Sequence, residues 1–302
     1  MEKFKNIKNI GPVSVIIAAL LWSFDGILRR GLYSLPPAVI VFYEHLLGFF
    51  VLIFLYKKWL PDLKKMTKKE WIAIALVSLF SGALGTIFYT AALGKVNYIQ
   101  YSVVVLLQQL QPIWAISMAA ILLKEKITKK FIIWAIVALV AAYFVSFRDL
   151  TVNITAQSGT AMAAILALLA GVLWGSSTAI SKYVLNKVSF LTATALRFML
   201  APIFALLFVI FGGQADVLFN INAAQWFSLL LITFSTGMVA LAIYYYGLKK
   251  TPARVTTICE LVWPASAIFI DYSYFHQSLS LTQILGSVVL LFAIYNVVKM
   301  SK

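Results

Sequence analysis

Ten mostly apolar stretches follow one another along this chain of 302 residues, each about long enough for a helix to cross a bilayer. A helix needs roughly 20 such residues to span a hydrocarbon core about 30 Å thick. The stretches run over residues 12–32, 36–56, 71–93, 98–123, 129–147, 159–184, 189–212, 225–248, 254–274 and 281–299. The breaks between them carry turn chemistry: Pro36-Pro37, Pro61-Asp62, Thr67 before Lys68-Lys69-Glu70, Gly212-Gly213 and Thr251-Pro252. No hydrophilic segment of domain size is left over. Composition agrees, with 62% hydrophobic residues, 12% charged and a mean hydropathy of +0.94. A soluble domain carries about 25% charged residues, and a chain this apolar could not cover its own surface. The expectation is an all-α integral membrane protein with ten transmembrane helices.

The net charge of +15 would suggest a nucleic-acid partner in a soluble protein. Here lysine and arginine gather in short clusters between apolar runs, so the charge reads as topology and no nucleic acid is expected. With the N-terminus inside, 20 of the 25 basic residues fall on cytoplasmic segments, among them Lys57–Lys69 and the Lys124-Glu125-Lys126 cluster. Arg29, Arg30, Lys95 and Arg148 fall outside, and Arg197 lies within a span. Positive residues favour the cytoplasmic side, so both termini are expected there, in a multi-pass protein of the cell membrane. Lys3, Lys5 and Lys8 before an apolar run imitate a signal peptide, but that run continues to Leu32 and reads as a retained first helix. The single cysteine, Cys259, excludes an intrachain disulfide.

The chain repeats itself. An offset of 152 positions carries Trp22 to Trp174, Pro112 to Pro264, and Ala19-x-x-x-Ser23 to Gly171-x-x-x-Gly175. Trp71 meets Trp226 at a slightly larger offset. Small residues at that spacing let membrane helices approach closely. Two five-helix halves follow, residues 1–150 and 151–302. Five is odd, so the second half enters the membrane inverted. The charges obey: Lys124-Glu125-Lys126 becomes His276-Gln277-Ser278, and the lysine-rich loop before Trp71 becomes an almost uncharged one before Trp226. An inverted repeat with proline-interrupted helices in matching positions points to a secondary transporter with a site near mid-membrane.

The tryptophans at 22 and 174, the Leu110-Gln111-Pro112 to Lys124-Glu125-Lys126-Ile127-Thr128 end of the fourth stretch, and Pro264 resemble the EamA family of the drug/metabolite transporter superfamily. The resemblance covers nearly the whole chain. It implies ten helices in two inverted halves and the export of amino acids, drugs or similar small metabolites, with distant relatives carrying choline, nucleotide-sugars or phosphorylated sugars. Two departures stand out. Gln277 replaces the acidic residue of the second half, and Glu44 stands where the first half would carry the counterpart of Arg197.

Ionisable groups inside spans are costly and usually face a cavity or a partner. They are Asp25, Glu44, His45, Arg197, Glu260 and Asp271. Asp25 and Arg29, four residues apart, suit an intrahelical pair, and Asp271 sits near a span end where water could reach it. Glu44, Arg197 and Glu260 either pair across helices to fix packing or meet a solute. The prolines add to this. Helix-interior proline leaves the carbonyl four residues earlier without its donor, which for Pro112 is Gln108 and for Pro264 is Glu260. Aromatic residues near these positions, Trp22, Tyr43, Tyr89, Trp174, Tyr244 and Trp263, could stack a solute or hold a cation. The expected substrate-binding set is Trp22, Glu44, Tyr89, Gln108, Trp174, Arg197, Tyr244, Glu260 and Trp263, with Pro112 and Pro264 breaking their helices.

Catalytic motifs are absent, and two histidines with one cysteine offer no metal spacing. No cofactor and no enzymatic activity are expected. The reading is a secondary carrier working by alternating access, in contact with lipid and taking a small-molecule solute, with protons as the candidate coupling ion. Four within-span carboxylates against Arg197 favour an amine-bearing solute, an amino acid or organic cation. The rivals are a carrier of phosphorylated or nucleotide-type solutes and a non-transport receptor or assembly protein.

Overall fold

The computed structural model describes residues 2–95, 97–123, 128–146, 159–251, 256 and 259–299. The Lys124-Glu125-Lys126 cluster, Arg148, Arg254 and the C-terminal Lys302 lie outside the described residues, as do the side chains of Lys3, Lys5 and Lys8. Helices α1 Glu2–Ser23, α2 Asp25–Arg29 and α3 Pro37–Ile53 come first, then the short α4 Tyr56–Trp59, α5 Lys68–Val77 and α6 Gly85–Leu93. The fourth stretch is split into α7 Tyr101–Gln108 and α8 Gln111–Leu123, and α9 Lys129–Ser146 follows. Then come α10 Gly159–Leu185, α11 Phe190–Phe211, α12 Ala223–Ile232, α13 Met238–Lys250, α14 Val262–Ser273 and α15 Leu281–Lys299. The protein is all-helical, and helix lies in each of the ten apolar stretches. Five helical runs are long and apolar enough to cross a bilayer among the described residues. A sixth is added if Pro37–Ile53 and Tyr56–Lys65, bent by 83°, form one span. The fourth and ninth stretches are in pieces, which is why neither counts as a single long helix.

Both third stretches are built alike. Thr67 caps α5 by accepting from the Lys69 N–H while Glu70 reaches back to the Thr67 N–H, and Asn222 and Gln225 form the same reciprocal cap on α12. The cap keeps its form and loses its charge. Each helix then passes through a π-helical turn, Ser78–Leu84 between α5 and α6 and Thr233–Gly237 between α12 and α13. These turns shift the register by one residue and are frequent at functional sites.

Packing crosses over between the two parts of the chain. Helix α1 lies on α13, while α10 lies on α6; α3 pairs with α11, and α9 with α15. The α1–α13 approach is close because Gly247 meets Val15 and the Gly11 carbonyl. Two large apolar cores result, beside two smaller clusters around Leu229 and Val209. One gathers Tyr89, Leu106, Leu107, Ala138, Ala167 and Trp263, the other Val15, Val77, Leu196, Leu241 and Tyr245. Asp62, in the connection after α4, ties the two parts together by accepting from the Ser189 N–H at 2.8 Å and the Thr192 hydroxyl at 2.8 Å, at the start of α11. Large apolar side chains such as Phe54, Phe211 and Phe269 face outward, as lipid contact requires.

The proline expectation needs correcting. The breaks fall before the prolines, at Gln109-Leu110 and just ahead of Val262, so Pro112 and Pro264 sit in the first turn of α8 and α14. There the missing N–H costs nothing. The Glu260 carbonyl is not freed, because it accepts the Trp263 N–H at 2.9 Å. What seats the first break is α10: a Cβ on Gly171 would press on the Gln108 backbone, and one on Gly175 would strike the Gln111 carbonyl. Gly175→Ala should therefore destabilise the protein by about 1–3 kcal/mol, the usual cost of overpacking. Gly94→Ala, whose methyl would meet nothing nearer than 3.5 Å, should be neutral. Thermal unfolding of the purified variants in detergent compares them, and equal midpoints would remove the packing role given to Gly175.

Candidate functional site

The two cores leave a cavity between them, with about 820 Å³ of atom-free space including its open mouth. Solute pockets generally hold about 300–1,000 Å³. Its lining comes from α1 and α2, α3, the π turns, α6, α8, α10, α11, α13 and the residues around the start of α14.

One wall is aromatic. Trp22 and Trp263 stand 5.6 Å apart between ring centroids, Trp174 and Trp263 6.2 Å, and Tyr89 and Trp174 5.2 Å. Tyr244 closes the group 5.1 Å from Trp22. The tilts between these rings run from 32° to 74°, so the group lines a space and does not stack on itself. Tyr101 anchors it from behind, donating to the Ser23 carbonyl at 2.9 Å and accepting from Trp263 Nε1 at 3.2 Å.

A second wall is ionic. Arg29 is buried and donates through Nε to Asp25 at 2.5 Å, through Nη2 to Glu44 at 2.7 Å and through Nη1 to the Thr90 hydroxyl at 3.2 Å. Thr236, in the second π turn, donates to the other Asp25 oxygen at 2.5 Å. One guanidinium thus serves two carboxylates. Charge counting places Arg29 in the outer loop, whereas the intrahelical pair expected from Asp25-x-x-x-Arg29 is the contact found. Glu260 is also buried and accepts from the Tyr244 hydroxyl at 2.9 Å.

Opposite lies Arg197. Its Nη2 donates to the Ser81 carbonyl at 3.1 Å and its Nη1 to the Tyr245 hydroxyl at 3.2 Å, which also meets Ser181 at 3.2 Å. The Ser81 carbonyl, in the first π turn, further accepts Trp174 Nε1 at 3.1 Å and the Thr86 hydroxyl at 3.0 Å. His45 stacks on Phe198 at 4.7 Å and binds the Val41 carbonyl through Nδ1 at 3.0 Å.

Of the expected residues, Trp22, Glu44, Tyr89, Trp174, Arg197, Tyr244, Glu260 and Trp263 all line this cavity, together with Asp25 and His45. Gln108 does not. It is fully buried at the end of α7, and Gln111, just past the break, reaches the cavity in its place. Tyr43 points elsewhere, donating to the Leu218 carbonyl at 2.7 Å. Asp271 is not solvated: it is buried and accepts the Ser102 N–H at 2.6 Å at the start of α7. Ser81, Ser177, Ser181, Thr236 and Tyr245 are not singled out by the sequence, since hydroxyls in apolar helices look ordinary. The within-span surplus of carboxylates also shrinks, because Arg29 pairs with Asp25 and Glu44 and offsets one of their two charges. Among the described residues no group of three metal-ligating side chains exists.

Arg29→Ala should destabilise the protein by about 3–5 kcal/mol, since it strands two buried carboxylates. Adding Asp25→Asn and Glu44→Gln in the same chain should restore much of the loss. Detergent-phase unfolding of the single and triple variants measures both, and a triple variant no more stable than the single one would deny the charge-pairing account.

The description of the EamA-like transporter family matches the chain twice, over residues 9–147 and 161–299. The riboflavin transporter ImpX of Fusobacterium nucleatum subsp. nucleatum is 35% identical over 294 residues, covering 96% of this chain and 98% of that protein. An uncharacterized transporter, YoaV of Bacillus subtilis, is 20% identical with 94% of each chain covered. One solved crystal structure superposes with a TM-score of 0.61 over 95% of both chains at 13% identity, a likeness of fold alone. With the family shown twice along its length, the chain belongs to the EamA-like transporter family and is a membrane transporter, not an enzyme.

Proposed function

We propose that the protein carries riboflavin, or a flavin of the same neutral tricyclic build. It would do so by alternating access of two inverted five-helix halves, residues 1–150 and 151–302. The observation that supports this most is the aromatic wall of Trp22, Tyr89, Trp174, Tyr244 and Trp263 facing a cavity whose other sides carry hydrogen-bonding groups. A flat heterocycle is held by stacking on such rings, each contact adding about 0.5–1.5 kcal/mol beyond its buried area. Hydroxyls such as those of Thr178 and Ser181, and the Gln111 amide, suit a polyhydroxylated side chain. The name of the 35%-identical relative points the same way.

An amine-bearing solute is the second reading, and Glu260 favours it, because among the described residues that buried carboxylate has only the Tyr244 hydroxyl as a partner. The case is weaker than charge counting suggested, since Asp25 and Glu44 are already paired with Arg29. Glu260 is also where a coupled proton would bind. A riboflavin carrier needs no net charge in its cavity.

Counterflow separates the readings. Proteoliposomes loaded with unlabelled riboflavin should transiently accumulate labelled riboflavin, and replacing Trp174 and Trp263 together by Ala should cut the rate at least about tenfold, corresponding to about 1.4 kcal/mol. Counterflow of choline or lysine without any of riboflavin would sink the flavin reading in favour of the amine. The orientation belongs to the same proposal, with both termini and the Lys57–Lys69 segment cytoplasmic. In a Cys259→Ala background, an impermeant thiol reagent on intact cells should label Gln214→Cys and spare Lys65→Cys. The opposite pattern would invert the topology.

A further inference from the structure

The two arginines of the cavity are in opposite conditions. Arg29 has two carboxylates and a hydroxyl on its donors. Among the described residues Arg197, 9% exposed, has no carboxylate within ion-pair distance, and its Nε–H has no acceptor. Ser177, 1% exposed and lining the same cavity, likewise has a hydroxyl with no partner among the described residues. A buried donor left unmade is costly, and a lone guanidinium within a membrane more so. Gly82 of the first π turn lies beside the guanidinium, where a Cβ would stand 3.6 Å from Nε. The residue is held in place by the Ser81 carbonyl, the same atom that holds Trp174. Guanidinium and indole are therefore tethered edge to edge.

We propose that Arg197 is a specificity-determining residue that receives the oxygen-bearing edge of the solute's pyrimidinedione ring while the ring system lies on Trp174. This rests on the flavin reading above. An isoalloxazine presents adjacent carbonyl-oxygen and ring-nitrogen acceptors along that edge, which suit the parallel N–H groups of a guanidinium fork. The Ser177 hydroxyl can meet the neighbouring ring N–H or carbonyl. The sugar-alcohol chain then points toward the hydroxyl-lined remainder of the cavity, and the xylene end of the ring keeps to the indoles of Trp22 and Trp263.

The test measures binding of four ligands to wild type, Arg197→Gln and Arg197→Lys in detergent: riboflavin, lumiflavin, flavin mononucleotide and N-ribityl-3,4-dimethylaniline. Lumiflavin keeps the dione edge without the ribityl chain, and the aniline keeps the chain without the edge. Arg197→Gln should weaken riboflavin and lumiflavin by the same factor, about 10- to 100-fold for a hydrogen bond to a charged group, and leave the aniline unchanged. Arg197→Lys, which keeps the charge but not the fork, should recover only part. An equal loss for all four ligands would make Arg197 merely structural. A loss confined to flavin mononucleotide would place a phosphate there. Riboflavin binding that requires chloride in wild type but not in Arg197→Gln would place a free anion there. Each of these overturns the assignment. Wild type that binds no flavin would overturn the flavin reading itself, whereas Arg197→Gln binding riboflavin as wild type does would overturn this inference alone.

Discussion

The bridge that Arg29 makes between Asp25 and Glu44 is the constraint on which the rest of the cavity depends. Three charges in a low-dielectric interior tolerate one another only in close, hydrogen-bonded geometry. Satisfying them fixes α2 against α3, brings Thr90 of α6 to the guanidinium and binds Thr236 of the second π turn to Asp25. Helix α2 follows α1 after a single turn residue, Phe24, and Asp25 and Arg29 are both buried on it. With those carboxylates occupied, the aromatic wall and Arg197 become the features that a solute meets.

The repeat keeps its mechanical parts and changes its charges. Thr67 with Glu70 and Asn222 with Gln225 make the same cap, and the two π turns lie at corresponding places. Each turn faces the other part of the chain: Gly82 lies against Arg197 of α11, and Gly237 against Glu44 of α3. At these matching contacts one side carries a carboxylate and the other a guanidinium. The cavity is polarised by a pair of substitutions on a common frame.

Much of the site was legible because tryptophan and ionised residues are conspicuous inside apolar helices. Trp22, Trp174, Trp263, Glu44 and Glu260 stand out for that reason, and all face the cavity. Gln108 was misplaced because the helix ends at the residues before the proline, so the freed-carbonyl rule was applied to a helix interior that does not exist there. Arg29 was misplaced because counting charges treats a basic residue near a span end as belonging to the loop. The spacing of Trp71 and Trp226 revealed related third helices but not their π turns, since Ser78–Leu84 is composed like any regular helix. Arg197 was found, but its lack of a carboxylate partner depends on distances between helices that no local pattern encodes.

A π turn holds one more residue than an α turn, so the helix beyond it points its side chains in a different direction. Before the turn, Ala73, Ile74 and Val77 pack into one core; after it, Tyr89, Ala92 and Leu93 pack into the other. The second π turn does the same, with Leu229 and Ile232 on one side and Leu241 and Tyr244 on the other. Each third stretch is thus two amphipathic faces joined out of phase, and a helical wheel drawn over its full length blurs both. In the vocabulary of alignment, a one-residue gap at Gly82 or Gly237 is not a neutral indel. It would leave the capped half of the helix seated while turning Tyr89 or Tyr244 away from the cavity.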